Sequence, residues 1–208
     1  MSKTELGEEE KNARHNAKMA KRKEFQKELV KKADKTKGLL IVNTGNGKGK
    51  STSAFGTLLR ACGHGYKVGL VQFIKGSWST GEQNALKRFD DLVTYHVMGE
   101  GFTWDTQDRA RDMAAARAAW EVSLKMMRDP AYTLIVLDEL NIVLRYEYLP
   151  VEEVVEGLAS RLPDMHVMVT GRNAPELLID AADLVTEMKQ VKHPFREQGI
   201  KAQKGIEF

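Results

Sequence analysis

The stretch Thr44-Gly45-Asn46-Gly47-Lys48-Gly49-Lys50-Ser51-Thr52 brings glycines, lysines and hydroxyls together in a short run. Glycines let a backbone turn with successive N–H groups pointing inward, which makes a concave site for an anion. A helix opening near Lys50 would aim its positive end at the same place. Lys50 supplies a point charge to phosphate oxygens, and Ser51 offers a hydroxyl to Mg²⁺. The candidate nucleotide-binding residues are therefore Gly45, Asn46, Gly47, Lys48, Gly49, Lys50, Ser51 and Thr52. The run departs from the common pattern of glycine, four residues and then Gly-Lys-Ser/Thr. Thr44 stands in the first glycine's place, and Gly45 comes one residue later. The bland alternative is a Gly- and Lys-rich surface turn, which the flanking pattern disfavours.

A second group is Leu134-Ile135-Val136-Leu137-Asp138-Glu139, an apolar run that ends in two carboxylates. Open α/β sheets bind ligands outside the carboxyl ends of their strands. In a phosphate-loop protein the acid at this point holds Mg²⁺ directly or through water. Asp138 and Glu139 are thus candidate metal residues beside Ser51. Taken alone, a buried strand leading into a helix explains the pattern equally well. The phosphate loop earlier in the chain favours the metal reading. Together the two groups describe a nucleoside-triphosphate site without choosing its reaction.

Both groups need elements to hold them. The apolar run Gly38–Val42 predicts a strand buried on both faces. Ser51–Cys62 predicts a helix with Ala54, Phe55, Leu58, Leu59 and Cys62 on one face. Further strands are expected over Val68–Ile74, Val93–Met98, Leu134–Leu137, His166–Thr170 and Leu184–Glu187. Thr106–Arg128 carries Met113, Ala116, Trp120, Leu124 and Met127 at helical spacing. Pro150 suits a first helical position before Val151, Val154, Val155 and Leu158. Asn173 with Glu176 three residues on has the form of a capping box. Strands alternating with helices predict an α/β fold, a mostly parallel sheet with helices on both faces. The last twenty residues, with Pro194, Gly199 and Gly205, read as a tail packed over the body.

Composition sets the outer bounds. The chain has 208 residues, 42% hydrophobic and 29% charged, ordinary for one globular domain. No run is long and apolar enough for a membrane span, and no signal peptide opens the chain, so no membrane partner is expected. Cys62 is the single cysteine and the five histidines are scattered, so no zinc cage is expected and a reducing, cytoplasmic setting is. The net charge of +3 is unevenly spread. Residues 1–37 hold 12 Lys and Arg against 7 Asp and Glu, and residues 38–208 hold 20 against 22. The expected organisation is a basic arm over 1–37, partly helical or disordered, followed by one phosphate-loop domain over 38–208. Such an arm suits an anionic ligand, a partner or simple solvation.

A further stretch, Gly99-Glu100-Gly101-Phe102-Thr103-Trp104-Asp105, suits neither a helix nor a strand. Phe102 and Trp104, two apart, point into a cavity or sit as core aromatics under a loop; spacing alone favours the core. Here a resemblance decides. TGNGKGKSTSAFGT, VGLVQFIKG, GEGFTWDTQD, VLDEL, TGRNAPELL, ADLVTEM and VKHPF…GIKAQKGIEF occur in that order. The chain resembles the P-loop ATP:corrinoid adenosyltransferases over residues 38–208. Ser51 stands where a threonine is common in that family, and the hydroxyl is retained.

The resemblance implies a RecA-like P-loop domain and an unusual reaction. A Co(I) corrinoid attacks the 5′ carbon of ATP, the 5′-deoxyadenosyl group is transferred, and inorganic triphosphate leaves. ATP lies reversed in the loop. Lys50 and Mg²⁺ would stabilise the departing charge, with Ser51 and Glu139 at the family's metal positions and Asp138 as another candidate. No general base is needed. Phe102 and Trp104 occupy the motif that displaces the corrinoid's lower axial ligand, which eases reduction to Co(I). A flavoprotein such as flavodoxin would supply the electron, the arm would close over the bound substrates, and the enzyme would be a homodimer. The runner-up is a P-loop ATPase or phosphotransferase with Glu139 positioning water. A RecA-like nucleic-acid binder using the arm is a third reading, disfavoured by the 7% aromatic content.

Overall fold

The computed structural model describes residues 7–74, 81–97 and 108–207. The chain divides into two compact units, residues 1–36 and 37–208. In the first, α1 spans Glu8–Lys32. Glu8, Glu9 and Glu10 occupy its first turn and Lys31 and Lys32 its last, the arrangement the helix dipole favours. None of its residues is buried, as expected of a segment with few large apolar side chains.

The second unit is built on six strands: β1 Leu40–Thr44, β2 Val68–Gln72, β3 Val93–Val97, β4 Leu134–Asp138, β5 His166–Thr170 and β6 Leu184–Glu187. They lie in the order β3-β2-β4-β5-β1-β6, and every neighbouring pair is parallel. Alternation along the inner strands feeds two cores. Val68, Leu70, Leu134, Val136 and Met168 meet one face, where helix α2 (Lys50–Gly63) contributes Ala54, Phe55, Leu58 and Cys62. Val71, Ile135, Leu137, Val167 and Val169 meet the other, against Trp120, Met126 and Met127. Those three lie on the long helix Arg109–Met127, α4; the short α3 covers Gly81–Leu86. Helices therefore cover both faces of a parallel sheet, the expected α/β architecture. α5 (Leu140–Arg145), α6 (Val151–Ala159), α7 (Glu176–Ala181) and α8 (Pro194–Gln198) complete the unit.

Several local expectations shift. β1 starts at Leu40 rather than Gly38. Gly38 instead passes so close to Met165 that an added Cβ would lie 2.2 Å from its carbonyl oxygen. Pro150 caps α6 from outside, with ψ 133°, and Val151 is the first helical residue. The Asn173–Glu176 capping box does not form. Pro175 is the N-cap of α7, no side chain caps it, and Asn173 takes φ 55°. The cause is steric: a residue before proline is pushed out of the helical region, so no helix runs through Ala174. Asp108 does cap α4, its carboxylate accepting from Arg111 N. No helix among the described residues is long and apolar enough to cross a membrane.

Candidate active site

The phosphate loop leaves β1 and enters α2, and its glycines have specific reasons. Gly45 and Gly49 adopt φ 94° and 105°, the left-handed region that favours glycine. Gly45 and Gly47 are also crowded: an added Cβ would lie 2.5 Å and 2.7 Å from the carbonyl oxygen of Met188. That carbonyl accepts from Gly47 N at 2.6 Å, and Met188 N donates to Thr44 O at 2.8 Å. The segment after β6 thus braces the first half of the loop. The displaced glycine now has an explanation. Thr44 is still strand, and its Oγ1 accepts from Ala174 N at 3.0 Å, so the turn begins one residue later.

Lys50 is buried, with Nζ donating to Gly45 O at 2.9 Å and Gly47 O at 2.6 Å. Asn43 Nδ2 donates to Lys50 O at 3.3 Å and fixes the first turn of α2. Burial pushes the Lys50 ammonium below its ordinary value, and Arg172 and Lys48 add to this, while Glu139 opposes it. A desolvated, partly repelled cation gains most from an incoming phosphate.

The two carboxylates differ. Asp138 is 3% exposed and has both oxygens engaged: Oδ1 accepts from Thr170 Oγ1 at 2.7 Å, and Oδ2 from Gln72 Nε2 at 2.9 Å. Gln72 Oε1 in turn accepts from the Tyr95 hydroxyl, which accepts from Gln83 Nε2 at 2.9 Å. The chain of bonds crosses the carboxyl ends of β3, β2, β4 and β5. Glu139 takes the left-handed φ of 61°, and its N–H donates to Thr170 Oγ1 at 3.0 Å. Its Oε2 is buried with no hydrogen-bond partner among the described residues. Burial, then the neighbouring Asp138 charge, pushes its carboxyl up to about 7, against the pull of Lys50 and Arg172.

Lys48, Lys50, Ser51, Thr52, Asp138 and Glu139 line one cavity of about 480 Å³. Phe55 and Ile74 give it an apolar wall, and Ile206 and Glu207 bring the tail to it. Glu207 is ion-paired with Lys48, so the tail reaches the loop. The residues fit Mg²⁺. Glu139, whose Oε2 is buried without a hydrogen-bond partner, lines the same cavity as Ser51 and Thr52, and among the described residues no three His, Cys, Asp or Glu gather as a cage. Mg²⁺ is commonly held by one or two carboxylates with substrate phosphates and water. With both oxygens already accepting hydrogen bonds, Asp138 suits a supporting place behind Glu139. Asn46 lines a second cavity of about 450 Å³, which shares Arg172 with the first. Phe102 and Trp104 lie outside the described residues. Sequence reasoning missed Thr170, Tyr95, Arg172 and Met188. Thr170, Arg172 and Met188 sit at or just beyond the carboxyl ends of β5 and β6, whereas Tyr95 is midway along β3 and reaches the site through Gln72.

Comparison with known proteins adds an independent line. The family model described as ATP:corrinoid adenosyltransferase BtuR/CobO/CobP matches residues 36–208, and one described as cob(I)alamin adenosyltransferase N terminal matches residues 6–26. The chain is 54% identical to a corrinoid adenosyltransferase of Pseudomonas aeruginosa, over 96% of this chain and 98% of that one. It is 48% identical to corrinoid adenosyltransferase CobA of Salmonella typhimurium, over 86% and 90%. Among solved structures it is similar to the flagellar accessory protein FlaH from Methanocaldococcus jannaschii, with TM-score 0.51, 14% identity and 73% and 71% coverage. That likeness shows the fold alone, an α/β domain built on a mostly parallel sheet.

Proposed function

The chain belongs to the ATP:corrinoid adenosyltransferase family, and on that premise we propose that it moves the 5′-deoxyadenosyl group of ATP onto the Co(I) of a reduced corrinoid. The cobalt's electron pair forms the bond to the 5′ carbon. The bond from that carbon to oxygen breaks, and its pair leaves with inorganic triphosphate. No proton has to move, so the site needs charge stabilisation and alignment rather than a base.

The residues supply both. Lys50 and the N–H groups at the start of α2 receive the phosphates. Ser51 and Glu139 would hold Mg²⁺, with Asp138 fixed nearby by Thr170 and Gln72. Bound there, Mg²⁺ neutralises charge that builds on the leaving triphosphate. Glu139 must give up its proton for that, and Lys50 and Arg172 favour the ionised form. Phe102 and Trp104 take the corrinoid's lower face and displace its axial ligand. A reduced flavoprotein such as flavodoxin delivers the electron, the protein works as a homodimer, and its setting is cytoplasmic.

The observation that carries the reading is the combination of the family match over 36–208 with a braced phosphate loop that shares one cavity with the Glu139 carboxylate. The test is the phosphate product formed from ATP and chemically reduced corrinoid. Inorganic triphosphate with a new cobalt–carbon bond is expected. ADP and phosphate formed without corrinoid would establish the ATPase alternative instead.

A further inference from the structure

The hydrogen bonds that end on Asp138 start well outside the cavity, and their direction is forced. Asp138 Oδ2 accepts, so the Gln72 amide must present its Nε2 there, at 2.9 Å. That leaves Gln72 Oε1 as an acceptor, and the Tyr95 hydroxyl gives it its one proton. The Tyr95 oxygen can then only accept, and Gln83 Nε2 on α3 donates to it at 2.9 Å. Burial pushes the Tyr95 phenol above its ordinary value, so the proton stays on the oxygen that donates it. Beyond Asp138 the bonds continue through Thr170 to Glu139 N. Five hydrogen bonds thus connect α3 to the backbone of Glu139.

Only the inner end of this chain borders the site. Among the described residues, Gln72, Asp138 and Glu139 line the first cavity, and neither Tyr95 nor Gln83 lines either one. Without the Tyr95 hydroxyl nothing on β3 holds Gln72 Oε1. A half-turn of the amide would then set that oxygen against Asp138, acceptor against acceptor.

We propose that Tyr95 is a positioning residue for the cation. Through Gln72 it fixes the orientation of the Asp138 carboxylate, and Asp138 with Thr170 fixes where Glu139 stands to receive Mg²⁺. Tyr95 itself touches neither metal nor nucleotide. This rests on the Mg·ATP site proposed above, and its test needs neither corrinoid nor turnover.

The experiment is calorimetric titration of the full chain with ATP, once with Mg²⁺ and once with EDTA. Wild-type protein should bind Mg·ATP more tightly than metal-free ATP. Tyr95→Phe should weaken Mg·ATP about tenfold, the lower end of what outer-shell changes cost a metal site. Its affinity for metal-free ATP should stay within about twofold, as should the further effect of Tyr95→Phe on Mg·ATP once Asp138→Asn has removed the carboxylate it aims. Tyr132→Phe is the control: that half-buried hydroxyl donates at 2.9 Å to Thr94, on the same strand as Tyr95, and its loss should move neither affinity. Gln83→Leu breaks the chain from its outer end and should cost about threefold in Mg·ATP affinity, which keeps the test open if Tyr95→Phe does not fold. Equal losses with and without Mg²⁺, additive losses with Asp138→Asn, the same loss in Tyr132→Phe, or no loss would each overturn the role. A wild-type protein indifferent to Mg²⁺ overturns the metal site and the role together. The expected pattern in a protein that transfers no adenosyl group leaves the role standing and removes the proposed reaction.

Discussion

Thr170 donates its hydroxyl proton to Asp138 Oδ1 over 2.7 Å. Thr170 Oγ1 also accepts from Glu139 N at 3.0 Å, so one side chain on β5 holds both acids at the end of β4. β5 lies between β4 and β1, and thus between the acids and the phosphate loop. Thr170→Val keeps the shape and removes both bonds. It should lower stability by about 1–3 kcal/mol, because a buried N–H and a buried carboxylate lose their partner. The KM for Mg·ATP should rise as well. Urea denaturation and initial rates read the two effects. A variant with unchanged KM would limit Thr170 to a folding role.

Glu139 carries a second expectation, on pH. Its folded-state value of about 7 lies above its ordinary 4.5. Below pH 4.5 folded and unfolded chains both hold the proton. Between 4.5 and 7 the unfolded chain releases it first, so stability falls as pH rises, and the full loss remains above 7. The size is about 3 kcal/mol. Glu139→Gln imitates the protonated carboxyl and should flatten this slope, growing more stable relative to wild type from pH 4 to pH 8. Denaturation curves across that range decide it; a constant gap would contradict the assignment. Because Mg²⁺ needs the carboxylate, the affinity for Mg·ATP should rise through about pH 7.

Lys50→Ala should reduce turnover by about 100-fold or more while far-ultraviolet circular dichroism stays native. The ammonium also ties Gly45 O and Gly47 O, so the variant loop loses two hydrogen bonds as well as a charge. Turnover near the wild-type level would remove the phosphate role of the loop.

The aromatic pair is tested by a ratio. Replacing Phe102 and Trp104 with alanine should lower activity sharply when the assay starts from Co(II) corrinoid and a mild reductant. It should lower activity much less from prepared Co(I), which has already lost its axial ligand. If the two side chains only pack, each truncation should cost about 3–5 kcal/mol and both assays should fall together. Electron paramagnetic resonance of the Co(II) complex with ATP supplies a direct view of the ligand.

What could be read from the sequence was local. The glycines and lysine of residues 44–52 and the run Leu134–Glu139 carry their chemistry in adjacent positions, so strand, loop and acid were all legible. Asn173 misled because a pattern of residue types ignored Pro175, whose ring forbids the earlier helix start. Thr170, Tyr95 and Arg172 were illegible as site residues for a different reason. Their roles arise from strand order, which brings β3, β5 and the turn after β5 alongside β4, and nothing in their own neighbourhoods encodes that order.

The brace between Met188 and Gly47 bears on how the protein is made. The ribosome releases the phosphate loop long before it releases Met188. A nascent chain therefore carries the motif without its final shape, and nucleotide is unable to template early folding. The loop gains its brace only when β6 docks on β1. Truncated chains that stop before residue 184 should keep the motif and lack the binding.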